Sequence, residues 1–290
     1  MDISNKVTIL LTTCDRYDTT LPLCLMSIFN QSYKPDRIVM VDDSKVKKFY
    51  DNILLRNILV LLKEKGIEFD YFYGPSRGAV PALQIGLENI EDGWVFKMDD
   101  DNILSYNVLA LFVNNISSVV GVMSGIFIDK NMNDFYINSP EKYPVMVDGY
   151  YNRIENVYSD FNIQFVRHQS DDIKKVHHIY SNYFFRRDLA NDYPLELSPS
   201  SHREETVFTY EIFRKGYELI VIPQVKIHHL HYDSKSGNSQ YSEKYIKKNE
   251  LFFVEKLKEW NIVPNELEIF EDDEKFYIEK DGVVYLVTYK

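Results

Sequence analysis

The sequence has few cysteines, no long apolar run and a deficit of basic residues. Its two cysteines, Cys14 and Cys24, lack the paired spacing of a zinc site or a disulfide framework, which fits a reducing compartment. No stretch reaches the roughly 18 apolar residues that a membrane-spanning helix requires. The chain begins with an early acid and a short apolar run, unlike a secretory signal. We therefore expect a soluble, cytosolic protein.

The charge balance disfavours nucleic acid as a partner. The chain has 33 basic and 44 acidic residues and a formal net charge of −11, which repels polyanions. With 290 residues and 45% hydrophobic composition, it can bury one large core with a small appendage.

The first half of the chain alternates apolar runs with amphipathic ones, which predicts an α/β fold with a mostly parallel sheet flanked by helices. Polar residues end each of four predicted strands, at 7–13, 37–43, 68–74 and 93–101, and a further buried strand is predicted at 119–128. From residue 131 to about residue 175 the pattern weakens and aromatic residues accumulate. Such a segment is typical of a binding loop.

The second half predicts a strand at 176–185, a helix at 200–217 and a strand at 218–229. An amphipathic helix at 241–260 and a β-hairpin around Asp281-Gly282 follow. We assign residues 1–232 to the principal domain and residues 233–290 to an appendage made of this helix and hairpin.

Ligands bind beyond the carboxyl ends of parallel strands, so the polar residues there are candidates for a site. Three such clusters stand out, namely residues 12–16, Asp42-Asp43 and residues 99–102. The last contains three consecutive carboxylates, which repel one another unless a cation compensates. Strand alternation would point Asp99 and Asp101 the same way, as oxygen ligands for Mg²⁺ or Mn²⁺. A solvated acidic loop or a helix N-cap is the alternative.

Four ordered motifs resemble family 2 glycosyltransferases, which have the GT-A fold. They are VTILLTTCDR, SIFNQSYKPDRIVMVDDS, GPSRGAVPALQIGLENIEDGWVFKMDDDN and EETVFTYEIFRKGYELIVIP, within roughly residues 7 to 230. The resemblance implies an inverting enzyme that moves a sugar from a nucleoside diphosphate donor, commonly UDP-linked, to an acceptor hydroxyl in glycan, polysaccharide or glycoconjugate synthesis. Residues 1–130 would form the donor half, and residues 131–232 the acceptor and catalytic-base half.

Carried over by position, the resemblance assigns donor and metal roles. Residues lining the donor pocket would be Thr12, Thr13, Asp15, Arg16, Asp42, Arg77, Asp99 and Asp100. Among them Asp42, rather than Asp43, would accept a hydrogen bond from the base, and Arg77 would contact phosphate or sugar. Asp101, with Asp99, would bind a Mn²⁺ or Mg²⁺ cofactor that bridges the phosphates.

The resemblance also implies that one acid of the Glu204-Glu205 pair is the general base. Ser201 and Glu204 match an S-x-x-E capping box, which would occupy Glu204 and leave Glu205 as the better base. Asp171-Asp172 is a more distant alternative. His228 and His229 end the last strand of this domain and His231 follows it, where related enzymes place a metal-ligating histidine. Alternation allows only one of His228 and His229 to point inward.

The chain departs from the family pattern in two places. Ala82-Leu83-Gln84 stands where the family often has Ala-Arg-Asn, and the Gln-x-x-Arg-Trp run of polymerising members is absent, which favours single-sugar addition. The acceptor can be a glycan, glycolipid or protein. The basic helix around residues 244–248 could contact an anionic membrane surface at the inner face, although a solvated helix face is the simpler interpretation.

Three other functions remain open from the sequence. A silent nucleotide-sugar-binding or scaffold protein would keep the pocket without turnover. A sugar nucleotidyltransferase shares the layout, but its Gly-rich loop is missing from TTCDRYD. An enzyme that glucosylates nucleic-acid bases fits the chemistry but not the net charge.

Overall fold

A nine-stranded sheet forms the centre of the part of the chain that the structure describes. This computed structural model describes residues 6–128, 172–179, 181–230 and 243–261, and the backbone of three later strands. The strands are β1 (Val7–Thr13), β2 (Arg37–Asp42), β3 (Glu68–Tyr73), β4 (Trp94–Asp99), β5 (Asn102–Leu104), β6 (Val120–Ile128), β7 (Lys174–Val176), β8 (Tyr183–Arg186) and β9 (Glu218–His229).

The strand order is β3-β2-β1-β4-β8-β6-β9-β5, with β7 paired to β9. The first four strands are parallel, as is the β6–β9 pair, whereas β5, β7 and β8 run antiparallel to their neighbours. The predicted α/β architecture with a mostly parallel sheet is confirmed.

Six helices cover the two faces of the sheet within the described residues. They are α1 (Thr20–Phe29), α2 (Ile53–Glu64), α3 (Ala79–Glu88), α4 (Val108–Asn114), α5 (Glu204–Arg214) and α6 (Glu243–Glu259). Alternate residues of β1 face opposite sides, so Leu10 packs in one core with α3, α5 and α6, while Ile9 and Leu11 pack in the other with α1, α2 and α4. None of these helices is long and apolar enough to cross a bilayer.

The strand register gathers the polar clusters at one edge of the sheet. Thr13 is paired with Asp42 across β1 and β2, and Thr12 with Asp99 across β1 and β4. β5 then runs antiparallel to the end of β9 and places Asn102 opposite His229. The edge that holds the carboxyl ends of the parallel strands is therefore the candidate site.

The C-terminal helix α6 packs on the main core through Phe253, Val254 and Leu257. Beyond it, β10 (Ile269–Glu271), β11 (Lys275–Lys280) and β12 (Val283–Thr288) form a second, antiparallel sheet. The β11–β12 pairing confirms the predicted hairpin, whose turn at Asp281-Gly282 lies outside the described residues. The division at residue 232 stays a prediction.

Two of the predicted boundaries differ from the structure. The strand predicted at 176–185 is split between β7 and β8, with a bend around the left-handed residue Ser181 (φ 66°). The helix predicted from residue 200 begins at Glu204, because Arg203 before it also has a left-handed backbone (φ 77°).

Candidate functional site

Asp101 is placed between a cation and an imidazole at the carboxyl edge of the sheet. One of its oxygens lies 3.5 Å from Nε2 of His229, and the other lies 3.7 Å from the Arg16 guanidinium. His228 points elsewhere, with its Nε2 3.4 Å from the hydroxyl oxygen of Ser105. The structure thus brings His229, rather than His228, to Asp101, a choice that required the register of β5 on β9.

The donor set of Asp101 and His229 fits a divalent cation. A carboxylate oxygen and an imidazole nitrogen both suit Mn²⁺, and the oxygen suits Mg²⁺. The described residues contain no group of three or more acidic, histidine or cysteine side chains able to enclose an ion. A cation here would need further oxygen ligands, which a bound diphosphate carries. His231 lies outside the described residues.

Asp100 is turned back toward β1. Its carboxylate accepts a hydrogen bond from the Thr13 hydroxyl at 2.6 Å and a longer one from the Cys14 amide at 3.4 Å. Burial raises the pKa of Asp100 to about 7, with the neighbouring Asp101 adding to the increase. This carboxyl therefore connects the segment after β4 with the end of β1. Its contact with the donor stays a prediction.

Asp99 shares a buried lysine with Glu204. The Lys97 ammonium lies 3.1 Å from Asp99 and 3.2 Å from Glu204, so it joins the end of β4 to the start of α5. We predicted that Asp99 and Asp101 point the same way on one strand, but β4 ends at Asp99. The two carboxylates accordingly have different partners, Lys97 for Asp99 and Arg16 for Asp101. The amide of Asp99 donates to the side-chain oxygen of the buried Asn182 at 3.0 Å.

Sequence reasoning missed both Lys97 and Asn182. For Lys97 there was a signal, since one charged residue stands inside the apolar run WVFKM. A lysine in a buried strand needs a counter-charge, which predicts acidic partners. For Asn182 there was none, because its contact depends on β8 lying against β4.

The two acids of the pair differ in exposure. Glu204 is buried and accepts a 3.4 Å hydrogen bond from Tyr183, whereas Glu205 is partly exposed. Burial raises the pKa of Glu204 to about 8 and also raises that of Glu205. The effect of burial outweighs that of the neighbouring Lys97 ammonium at Glu204, so this acid retains a proton near neutral pH.

The predicted capping box is wrong. The helix has no side-chain cap, and the Ser201 hydroxyl donates to the carbonyl of Ser200 instead. Glu204 is the first residue of α5 rather than its third, as a capping box requires, and its carboxylate extends to Lys97 instead of reaching back to the helix start. The conclusion that Glu205 is the better base therefore rests on exposure, not on capping.

A pH dependence of stability follows from Glu204. Between pH 4.5 and about 8 the folded state holds a proton that the unfolded chain has released, so stability should fall as pH rises through this window. The contribution of Glu204 to the slope should be at most about 1.4 kcal/mol per pH unit, and Asp100, whose pKa is raised to about 7, adds a contribution of the same sign. We expect Glu204→Gln to make the slope smaller in denaturant titrations without metal or donor, whereas Glu255→Gln, at an exposed position of α6, should leave it unchanged. An unchanged slope in Glu204→Gln would contradict the assignment.

Helix α6 holds the segment that leads into α5. The Arg203 guanidinium donates to both oxygens of the buried Glu250, at 2.7 and 3.0 Å, and His202 contacts the same carboxylate. The Asn249 side-chain amide donates to the carbonyls of Leu197 and His202 and to the hydroxyl of Ser200. The left-handed Arg203 is therefore held directly beside the acidic pair.

The predicted membrane contact of the basic residues of α6 gains no support from the structure, because Lys248 donates a hydrogen bond to the Glu196 carbonyl.

Glu250→Gln tests this arrangement. We expect a loss of about 1.5 to 3 kcal/mol in the free energy of unfolding, because the change leaves the buried Arg203 without its counter-charge. Chemical denaturation measures it, with Glu255→Gln on the exposed side of α6 as the matched control. A loss no larger than that of the control would show that the contact contributes little.

The remaining predicted donor residues surround the ends of β1 and β2. Thr12 is buried, Asp15 is exposed with a left-handed backbone (φ 56°), and Arg77 is exposed before α3. Asp42 is fully buried, and its carboxylate accepts from Tyr17 at 2.6 Å and from Tyr71. The two phenol hydroxyls give the buried carboxylate of Asp42 its hydrogen-bond partners without any ligand. Its contact with a base stays a prediction.

Asp43 holds the turn before α3, as a carboxylate that accepts from the backbone amides of Ser76 and Gly78, both at 2.7 Å. Gly78 has a φ of +99°, and a Cβ there would lie 2.4 Å from the Pro199 carbonyl oxygen. Only glycine therefore lets the α3 turn approach the segment before α5 so closely.

The departure at Ala82-Leu83-Gln84 is explained by packing. Leu83 is fully buried in the core shared by α3, α5 and α6, so this position does not face the site. The Gln84 side chain accepts a hydrogen bond from the Tyr193 amide at 2.8 Å and donates to Asp192 at 3.0 Å. Of the alternative base pair, Asp172 is exposed before β7, while Asp171, like the aromatic segment 135–161, lies outside the described residues.

Comparison with known proteins identifies a matching sequence family and several structures of similar fold. The family model described as Glycosyl transferase family 2 matches residues 8–193, which include the β1, β2 and β4 edge but not Glu204, Glu205 or His229. No curated protein sequence matches the chain significantly.

Solved structures with this fold include GalNAc-T7 with UDP, GalNAc and Mn²⁺ (TM-score 0.58, 15% identity, 78% of this chain and 44% of that one). Others are S. aureus TarS with UDP-GlcNAc (0.58, 14%, 87% and 66%) and the mannosyltransferase PcManGT from Pyrobaculum calidifontis with GDP-Man and Mn²⁺ (0.53, 15%, 81% and 61%). The chain spans about half to two thirds of the length of these proteins. They confirm the predicted GT-A type of fold.

Proposed function

Because the chain belongs to glycosyl transferase family 2, we propose that it moves one sugar at a time from a UDP-linked donor to an acceptor hydroxyl, with inversion at the anomeric carbon. The observation that carries this proposal is the contact of Lys97 with both Asp99 and Glu204. It joins the acidic end of β4, where a donor would bind, to the acidic start of α5, where a base is needed.

Asp101 and His229 are the residues that would hold the cation, Mn²⁺ or Mg²⁺, on the donor side. When bound, such an ion supplies Lewis-acid stabilisation of the charge that develops on a departing diphosphate. Arg16, 3.7 Å from Asp101, would add positive charge near the phosphates, and the exposed Arg77 would do so from the start of α3. The Mn²⁺ in two of the structural neighbours supports a divalent cation.

Glu205 is the proposed general base. In a single displacement, the acceptor oxygen forms a bond to the anomeric carbon while the bond from that carbon to the diphosphate oxygen breaks. The electron pair leaves with the diphosphate, and the hydroxyl proton passes to Glu205. The Lys97 ammonium pairs with the buried Glu204 at 3.2 Å, whereas Glu205 lies at the partly exposed start of α5, where an acceptor could reach it.

The nucleotide is tested by calorimetry with a panel of UDP- and GDP-sugars, in Mn²⁺ and in chelator. We expect one UDP-sugar to bind, and to bind more weakly in chelator. Preference for a GDP-sugar, which PcManGT binds, would overturn the UDP assignment alone. Absence of binding to every sugar nucleotide would overturn the proposal, while binding without turnover would identify a silent binding protein.

A further inference from the structure

Exposed apolar side chains are concentrated on one short stretch of the surface. Eleven large apolar residues are strongly exposed in the described part of the chain, and five of them lie between residues 46 and 60. These are Val46 (60% exposed), Tyr50 (51%), Ile53 (68%), Leu54 (52%) and Val60 (56%). Single exposed apolar residues need no explanation, but several within one short segment point to an interaction surface.

Three members of this group, Ile53, Leu54 and Val60, lie on α2 (Ile53–Glu64). Ile53 and Val60 are seven residues apart, so they lie on the same side of the helix two turns from one another. The opposite side carries Leu55, Ile58 and Leu62, which are buried against the sheet. The exposed apolar side is therefore additional to the side that the fold uses.

Basic residues flank the exposed apolar side. Arg56 and Lys63 are also seven residues apart, and both are exposed next to the Ile53–Val60 line. Lys45, Lys48 and Lys65 extend the positive charge to both ends and are exposed as well. Residues 45–65 contain six basic and two acidic side chains, in a chain with a net charge of −11. The local charge thus opposes that of the whole protein.

We propose that this α2 surface, formed by exposed side chains of residues 45–65, binds an anionic lipid bilayer. A helix that exposes apolar side chains beside lysine and arginine suits the headgroup boundary, where the apolar groups insert and the cations meet acidic lipids. The surface is a convex helix side rather than a groove, which fits a planar bilayer. The inference does not depend on the proposed sugar transfer.

The α2 surface adjoins the candidate site. Val46 follows two residues after Ser44, whose hydroxyl accepts a hydrogen bond from the Asp15 amide at 2.8 Å. Binding through this surface would therefore place this edge of the site near the bilayer.

Sedimentation of the full chain with lipid vesicles tests the proposal. We expect binding to vesicles of mixed phosphatidylcholine and phosphatidylglycerol, little binding to phosphatidylcholine alone, and release by added salt. The pair Ile53→Asn with Val60→Asn should weaken binding at least about tenfold, because two apolar side chains are lost from the interface. The pair Arg56→Gln with Lys63→Gln should reduce the preference for anionic vesicles about tenfold or more, because two of the six basic side chains of this segment are lost.

The matched control is Val119→Asn, which changes a side chain of similar exposure (54%) between α4 and β6. Thermal unfolding checks that all variants keep the fold. The proposal is wrong if the wild type stays in the supernatant with anionic vesicles, or if Val119→Asn weakens binding as much as the α2 pair. It is also wrong if light scattering shows a dimer that only the α2 pair dissociates, because the surface then joins two copies of the chain.

Discussion

Glu205→Gln is expected to lower kcat by about 10² to 10⁴ while donor affinity stays within about twofold of the wild type. The amide has nearly the same shape as the carboxylate but cannot take the acceptor proton. Glu205 is partly exposed and Glu204 is buried, so in the proposed reaction Glu205 is the acid that an acceptor could reach. Steady-state kinetics with the identified donor, together with calorimetry, separates the rate effect from binding.

Glu204→Gln is the comparison that makes this result decisive. Because Glu204 retains a proton near neutral pH, the amide should replace it with a much smaller loss of rate. A larger loss in Glu204→Gln than in Glu205→Gln would transfer the base role to Glu204. Near-normal turnover in both variants would exclude the acidic pair as the source of the base.

Asp101→Asn is expected to weaken Mn²⁺-dependent donor binding by at least about a hundredfold. Loss of a partner that only orients a ligand already costs about 10- to 100-fold in metal affinity, and Asp101 is the proposed ligand itself. Asp101 lies 3.5 Å from His229 and 3.7 Å from Arg16, so the substitution removes the carboxylate that both groups contact. Calorimetry of donor with Mn²⁺ and with chelator measures the effect.

Asp92→Asn serves as the control for this prediction. Asp92 is exposed, pairs with Lys6 and precedes β4, at the end of the strand opposite Asp101. It should bind donor as the wild type does. Equal Mn²⁺ dependence in Asp101→Asn and the wild type would show that the cation, if one is used, binds elsewhere.

The sequence alone predicted most of the donor half of the fold. Buried strands in a parallel sheet are continuous apolar runs, and in β1, β2 and β4 these runs stop at polar clusters, so both the strands and their functional ends were visible. β5 was not predicted, because three residues are too few to show the alternation of apolar and polar side chains that indicates a strand.

The relations within the site could not be predicted, because they depend on contacts between distant segments. The choice of His229 over His228 needed the pairing of β5 with β9, and Asn182 needed β8 beside β4. The S-x-x-E pattern predicted a capping box that the structure lacks, because the left-handed Arg203 prevents the helix from beginning before Glu204. Arg203 is held by Glu250, which is distant in sequence. The contacts of Lys97 could have been predicted in part, since a lysine within the apolar run WVFKM requires acidic partners.

The most direct test of sugar transfer is the release of nucleoside diphosphate from a panel of sugar nucleotides, with Mn²⁺ or chelator, by the wild type and by Glu205→Gln. We predict metal-dependent release from one UDP-sugar by the wild type, and release reduced at least about a hundredfold in the variant. Equal release by the two proteins would contradict the proposed site, and no release from any donor with varied acceptors would contradict the proposed reaction.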